Sequence, residues 1–156
     1  MLSPFGHCHV FDHHANGYSR AEGVATATPC AHTDAFCEFG ARPRTVILGS
    51  APQQDGPSAS MTAPNGLSQR RLLRAAVDNA HMVMAEPDCT EFHGTGTTLG
   101  DPVEVGAAMD VSVEGTASLC ASSVKANAGH LEVAAAGAGM VAVLVFGKLK
   151  VYYRCV

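Results

Sequence analysis

Asp88-Cys89-Thr90-Glu91-Phe92-His93-Gly94-Thr95-Gly96-Thr97-Thr98-Leu99-Gly100-Asp101-Pro102-Val103-Glu104 puts a short strand, a glycine-punctuated loop and a helix start in immediate succession. Residues 88–92 read as the strand. Asp101-Pro102 reads as the helix start, because aspartate caps free amides and proline fits the first helical position, and Val103 to Met109 continue it. His93 then falls at the C-terminal end of a strand, the edge at which open α/β sheets place their reactive groups.

Working outward, the same alternation recurs from Ala41 onward, which predicts an α/β class. Thr45-Val46-Ile47-Leu48, closed by Gly49-Ser50, is an apolar, β-branched run that predicts a buried strand. Ala51 to Gly66 is rich in proline, glycine and serine and reads as a loop. Leu72, Leu73, Ala76, Val77 and Ala80 recur at helical spacing with Gln69, Arg70, Arg71, Arg74 and Asp78 on the other face, so a surface helix is expected over about 68–81. Leu119 to Val124 reads as another strand, and a long buried helix is expected from Gly129-His130 to about Phe146. The first forty residues are turn-rich from Phe11 to Gly23 and lack a clear period thereafter.

The chain has 156 residues, about one domain, with 47% hydrophobic and 15% charged residues; that is apolar enough for a core and argues against disorder. A net charge of −4 without any lysine or arginine run gives no reason to expect nucleic acid or an anionic membrane. The apolar stretch Val133 to Gly147 is shorter than the roughly 20 residues of a spanning helix, so no membrane span is expected. Met1-Leu2-Ser3-Pro4-Phe5-Gly6 has neither a basic nor an apolar leader region, which points to the cytoplasm, with a plastid as the other compartment. The six cysteines form no C-x-x-C pair and are expected to be thiols.

Two segments carry the chemistry. The loop after His93 fails as a dinucleotide site, since its glycines run G-x-G-x-x-x-G, out of register with the Rossmann fingerprint. Thr95 and Thr97 can hydrogen-bond an extended, amide-containing ligand or satisfy the turn's own backbone. Downstream, Ser123-Val124-Lys125-Ala126-Asn127-Ala128-Gly129-His130-Leu131-Glu132 places His130 at an expected helix N-terminus, where the dipole favours a neutral imidazole. Lys125 and Glu132 read either as a functional pair beside it or as a solvated surface pair. The early cluster His7, Cys8, His9, His13 and His14 has no helix-spaced or finger-type pattern, so no metal site is expected there.

His93 to Glu104 and Ser123 to Glu132 together resemble the histidine and lysine–histidine motifs of the β-ketoacyl synthases, the condensing enzymes of fatty-acid and polyketide assembly. Ala126 and Ala128 stand where the family usually has serine and isoleucine. The likeness extends to Leu2 to Gly23, with its Phe-Asp-x-x-x-x-Gly-Tyr turn, to Val46 to Gly56, where Gln53 replaces the usual asparagine, and to Thr62 to Gly66. The resemblance implies a thiolase-like layered α/β fold, incomplete and mainly its C-terminal half. Residues 1–40 would be the diverged end of the N-terminal half; residues 41–156 would be the C-terminal half, truncated before the glycine-rich gate loop.

It also implies decarboxylative Claisen condensation in polyketide or fatty-acid biosynthesis. His93 and His130 would face one cavity, within roughly 8 Å of each other, and polarise the extender thioester carbonyl. Lys125 would orient and tune the site, with Glu132 and Asp101 as structural support, while Thr95 and Thr97 would hold the phosphopantetheine arm of an acyl carrier protein. The implied partners are that carrier protein and acyl and malonyl thioesters; no permanently bound cofactor is implied. The family is homodimeric.

The family's nucleophilic cysteine sits in an Ala-Cys-Ser elbow upstream of the Phe-Asp-Gly-Tyr segment, and no cysteine here has that context. Cys120 occupies a predicted strand instead. The isolated chain is therefore expected to be inactive, supplying the two-histidine part of a site. The alternative is a non-catalytic, synthase-like protein that binds acyl carrier or a partner synthase, or a non-functional fragment.

Overall fold

The computed structural model of the chain describes residues 1–29, 45–58, 60, 63–82, 89–112 and 120–149. Helix α1 spans Gly66–Asn79, strand β1 Thr90–Glu91, helix α2 Gly100–Val111, strand β2 Ala121–Ser122, the short helix α3 Lys125–Ala128, a 3-10 turn Glu132–Ala134, and helix α4 Ala135–Leu149. The strands pair in parallel, with Thr90 opposite Ala121 and Glu91 opposite Ser122. A parallel pair needs a crossover, and α2 lies within it.

Helix α1 starts two residues earlier than the spacing predicts. The Asn65 side chain accepts the Ser68 N–H at 3.2 Å and so supplies the cap. At the other end, bonds from His81 N–H to the Asp78 carbonyl and from Met82 N–H to the Val77 carbonyl, with His81 at φ +53°, form a Schellman stop. The loop before α1 is tied down by the same helix start: Ser68 Oγ donates to the Gln54 carbonyl at 2.9 Å and accepts from Gln53 Nε2 at 2.7 Å.

The core is small. Phe92 and Ala108 are buried at its centre, with Phe11, Leu73, Val77, Val111 and Ala121 against them. Phe11 meets Phe92 edge to face at 5.4 Å, which brings the N-terminal segment onto the end of β1. Leu73 and Val77, one helical turn apart, are the face of α1 turned to this core.

Two expectations fail. Thr45 to Leu48 forms no strand, and Val46, Ile47 and Leu48 are exposed. An apolar run becomes a buried strand only beside a ladder partner, and none pairs with it among the described residues. The long helix is likewise not a buried core helix: Met140, Val141, Val143 and Val145 are exposed, while Ala135 and Ala142 are covered. Among the described residues no helix is long and apolar enough to cross a membrane.

Candidate active site

The loop from His93 to Leu99 is held by two carboxylates one turn apart on α2. Glu104 accepts the His93 N–H at 2.6 Å with one oxygen and the Gly94 N–H at 2.9 Å with the other. Asp101, almost fully buried, accepts the N–H groups of Thr95, Gly96 and Thr97 at 3.1 to 3.3 Å and that of Phe11 at 3.1 Å. Asp101 is thus not the helix cap. That place falls to Leu99, and the Thr97 hydroxyl accepts the Gly100 N–H at 3.1 Å in its stead. Gly96, at φ +74°, lies against the backbone of Cys8 and His9, so a side chain there would collide with the N-terminal segment.

The second motif leaves β2 through Ser123, whose buried hydroxyl donates to the Gly94 carbonyl at 3.1 Å and ties the two motifs together. Glu91 accepts the Val124 N–H at 2.6 Å, fixing the entry to α3. Helix α3 ends at Gly129, with φ +73°, and the chain breaks before the next helical turn. His130 lies in that break and is not the first residue of the long helix. Its backbone is clamped by the N-terminal segment: its N–H donates to the Ser19 carbonyl at 2.7 Å and its carbonyl accepts the Ala21 N–H at 2.9 Å.

The side chain of His130 has a defined tautomer. Nδ1 accepts the Glu132 N–H at 2.9 Å, so a neutral ring carries its proton on Nε2 and offers it as a donor. Glu132 itself has a left-handed backbone, φ +49°, where the 3-10 turn begins. The expected Lys125–Glu132 pair is not formed. Glu132 pairs with Arg20 at 3.0 Å, because the N-terminal segment runs alongside His130 and brings the guanidinium there.

His93 and His130 meet edge to face, with ring centroids 5.3 Å apart and planes at 84°. Both imidazoles are held below the usual histidine range. For His93 the cause is desolvation, then the Lys125 charge, with Asp101 opposing; for His130 it is desolvation, then His93 and Lys125, with Glu132 opposing. Lys125 is buried and makes no ion pair among the described residues. Burial lowers its pKa, opposed chiefly by the carboxylates of Glu104 and Glu91. Desolvation likewise raises Glu104, against the two amides it accepts. The arrangement favours two neutral rings beside one ammonium group.

His93 and Lys125 line an open cavity of about 550 Å³ with Glu91, Phe92, Glu132 and the near face of α4. His130 is not part of that lining, so the expectation that both histidines face one cavity is met only in their separation: the His130 ring touches that of His93 from outside the lining. Thr95 and Thr97 are buried with their hydroxyls 3.3 Å apart, and Thr97 borders a separate cleft with Phe11, Asp12, His13 and Asp101. Cys120 sits just before β2, its carbonyl accepting the Thr90 N–H at 2.8 Å. Neither Glu91 nor Glu104 has a role that sequence reasoning assigns; the available signal for Glu104 is its spacing from Asp101, which puts two carboxylates on one face of a helix start. The Ser19–Ala21 clamp leaves no local signal.

Residues 44–151 match the family model for the C-terminal domain of β-ketoacyl synthases. Over 142 residues, 90% of this chain and 6% of the relative, the chain is 44% identical to one of the phenolphthiocerol/phthiocerol polyketide synthase subunits of Mycobacterium tuberculosis. It is 42% identical over 86% of its length, and 6% of the relative, to the highly reducing polyketide synthase fogA of Aspergillus ruber. Among solved structures, the ketosynthase from module 6 of the bacillaene synthase from Bacillus subtilis superposes with a TM-score of 0.81 at 29% identity, covering 95% of this chain and 27% of that one. The chain therefore spans a small part of each curated relative and about a quarter of the solved ketosynthase. With that likeness in sequence and in fold, the chain belongs to the β-ketoacyl synthase family, of which it carries the C-terminal domain in a thiolase-like architecture.

Proposed function

We propose that this chain supplies the two-histidine part of a ketosynthase site for decarboxylative Claisen condensation in polyketide biosynthesis, with residues 1–40 closing the N-terminal half and residues 41–156 forming the C-terminal half. The observation that carries the reading is the perpendicular contact of His93 and His130 at 5.3 Å, with both rings biased to the neutral form. Neutral imidazoles can donate to a thioester oxygen as it becomes an enolate, which is the requirement of an oxyanion hole. In the reaction, the extender's carboxyl carbon leaves as carbon dioxide and its bonding pair passes into the enolate. The enolate carbon attacks an acyl-cysteine supplied from outside these 156 residues, and the cysteine leaves as thiolate.

Lys125 would keep both rings neutral through its charge. Asp101 and Glu104 would hold the loop, and Glu132 would fix the His130 tautomer through its backbone. Thr95 and Thr97 would bind the phosphopantetheine arm of an acyl carrier protein bearing acyl and malonyl thioesters.

The test is complementation with an N-terminal synthase segment carrying a cysteine elbow. His130→Ala should lower malonyl decarboxylation by a factor on the order of 10² to 10³, with acyl loading of the partner cysteine much less affected. Thr97→Ala should act mainly through KM. A second reading, a non-catalytic module that binds acyl carrier or a partner synthase, is favoured by one observation: His130 does not line the cavity of His93 and Lys125. Undiminished decarboxylation by His130→Ala would establish that second reading.

A further inference from the structure

The N-terminal segment carries a group of side chains that the condensation does not use. Asp12, His13 and His14 each present one ligand atom, and these atoms lie within 4.8 Å of one another. Both imidazoles turn Nδ1 to the same carboxylate oxygen, His14 at 2.8 Å and His13 at 3.2 Å. The His14 N–H also donates to that oxygen at 2.7 Å, so the turn itself sets the carboxylate.

We propose that Asp12, His13 and His14 bind a divalent transition-metal ion of the zinc, nickel or copper type. A tetrahedral ion with bonds of about 2.0–2.1 Å needs ligand atoms roughly 3.3 Å apart, close to the two spacings observed. Imidazole with carboxylate is the donor set such ions take, and not one suited to calcium or magnesium. The His9 ring, 6.1 Å from that of His14, stands near enough to become a fourth ligand by side-chain rotation. Asp12 and His13 also border an open cleft of about 420 Å³, which leaves room for water to complete the coordination. His13 and His14 are 83% and 65% exposed, so an ion enters without displacing any core group.

The spacing of these histidines in sequence fits no closed four-ligand pattern, which is why the sequence alone predicts no metal. The three ligand atoms come from consecutive residues of one turn, a geometry that a helix or finger template does not describe.

The test titrates the full chain with Zn²⁺ alone while following the ring nitrogens by NMR and the affinity by calorimetry. One equivalent should shift the Nδ1 resonances of His13 and His14 and leave those of His93 and His130 in place. The double variant His13→Ala/His14→Ala should retain its helical circular dichroism and bind at least about tenfold more weakly. The thiols of both proteins are alkylated before the titration, so that zinc is left to the imidazole and carboxylate ligands. Unmoved His13 and His14 nitrogens at stoichiometric zinc, or equal affinity in the double variant, would overturn the assignment.

Discussion

The Nε2 edge of His130 is left as a donor because its Nδ1 already holds the Glu132 N–H, 2.9 Å away. The same ring packs against His93, and each is pushed toward neutrality. Titrated by NMR, both should show midpoints below the ordinary histidine value of 6.5. Lys125→Met should move both midpoints upward, since it removes one of the charges that disfavour imidazolium. A folded-state pKa below the unfolded value means that the unfolded chain binds more protons in acid, so this contribution is fully present above pH 6.5 and is lost as the pH falls below it. Denaturant melts at pH 5 and pH 7 should show that loss, and it should be smaller in the Lys125 variant.

Asp101→Ala should be among the most destabilising single changes, because it strands four N–H groups that now end on one buried carboxylate. Each stranded buried donor costs about 1–3 kcal/mol where water cannot reach it, so a total of at least about 3 kcal/mol is expected. Thermal unfolding should fall by roughly 10 °C.

Gly96→Ala tests the contact between the loop and the N-terminal segment. The added carbon would lie 2.7 Å from the His9 backbone nitrogen, at a positive φ that alanine disfavours. A loss of about 1–3 kcal/mol is expected. Gly106→Ala, where the added carbon meets nothing, should be neutral or mildly stabilising by comparison.

Glu104→Gln separates charge from hydrogen bonding at the His93 backbone. The Glu104 carboxyl is raised by desolvation, so in the native chain its favourable contribution belongs to acid pH and declines as pH rises above the ordinary carboxylate value of 4.5 toward the folded pKa. The Gln variant lacks that titration. Its stability relative to the parent should therefore improve with rising pH across this window, measured by urea midpoints at fixed ionic strength.

The strand–loop–helix unit around His93 is legible in the sequence because its signals are local: a short β-rich run, glycines at positive φ, and a proline in the first turn of α2. The role of Asp101 is misread for the same reason. A cap is a local inference, whereas this carboxylate turns back to the loop and also takes the amide of Phe11, 90 residues away. Glu132 pairs with distant Arg20 and not with nearby Lys125, because proximity in sequence does not report the course of the N-terminal segment. Thr45 to Leu48 has a strand composition without a strand partner among the described residues, and composition is silent about partners.

The clamp on His130 also bears on the order of events during synthesis. Helices α1 and α2 can form from neighbouring residues, but Ser19 and Ala21 must wait for His130 before either backbone bond can close. At translation rates of about 5–20 residues per second, that wait is roughly 5–20 s, far longer than helix formation. Contacts of such high sequence separation also fold slowly once available. The histidine pair is thus acquired late, after the scaffold it stands on, and the segment around Ser19 must stay clear of competing pairings while the ribosome delivers its partner.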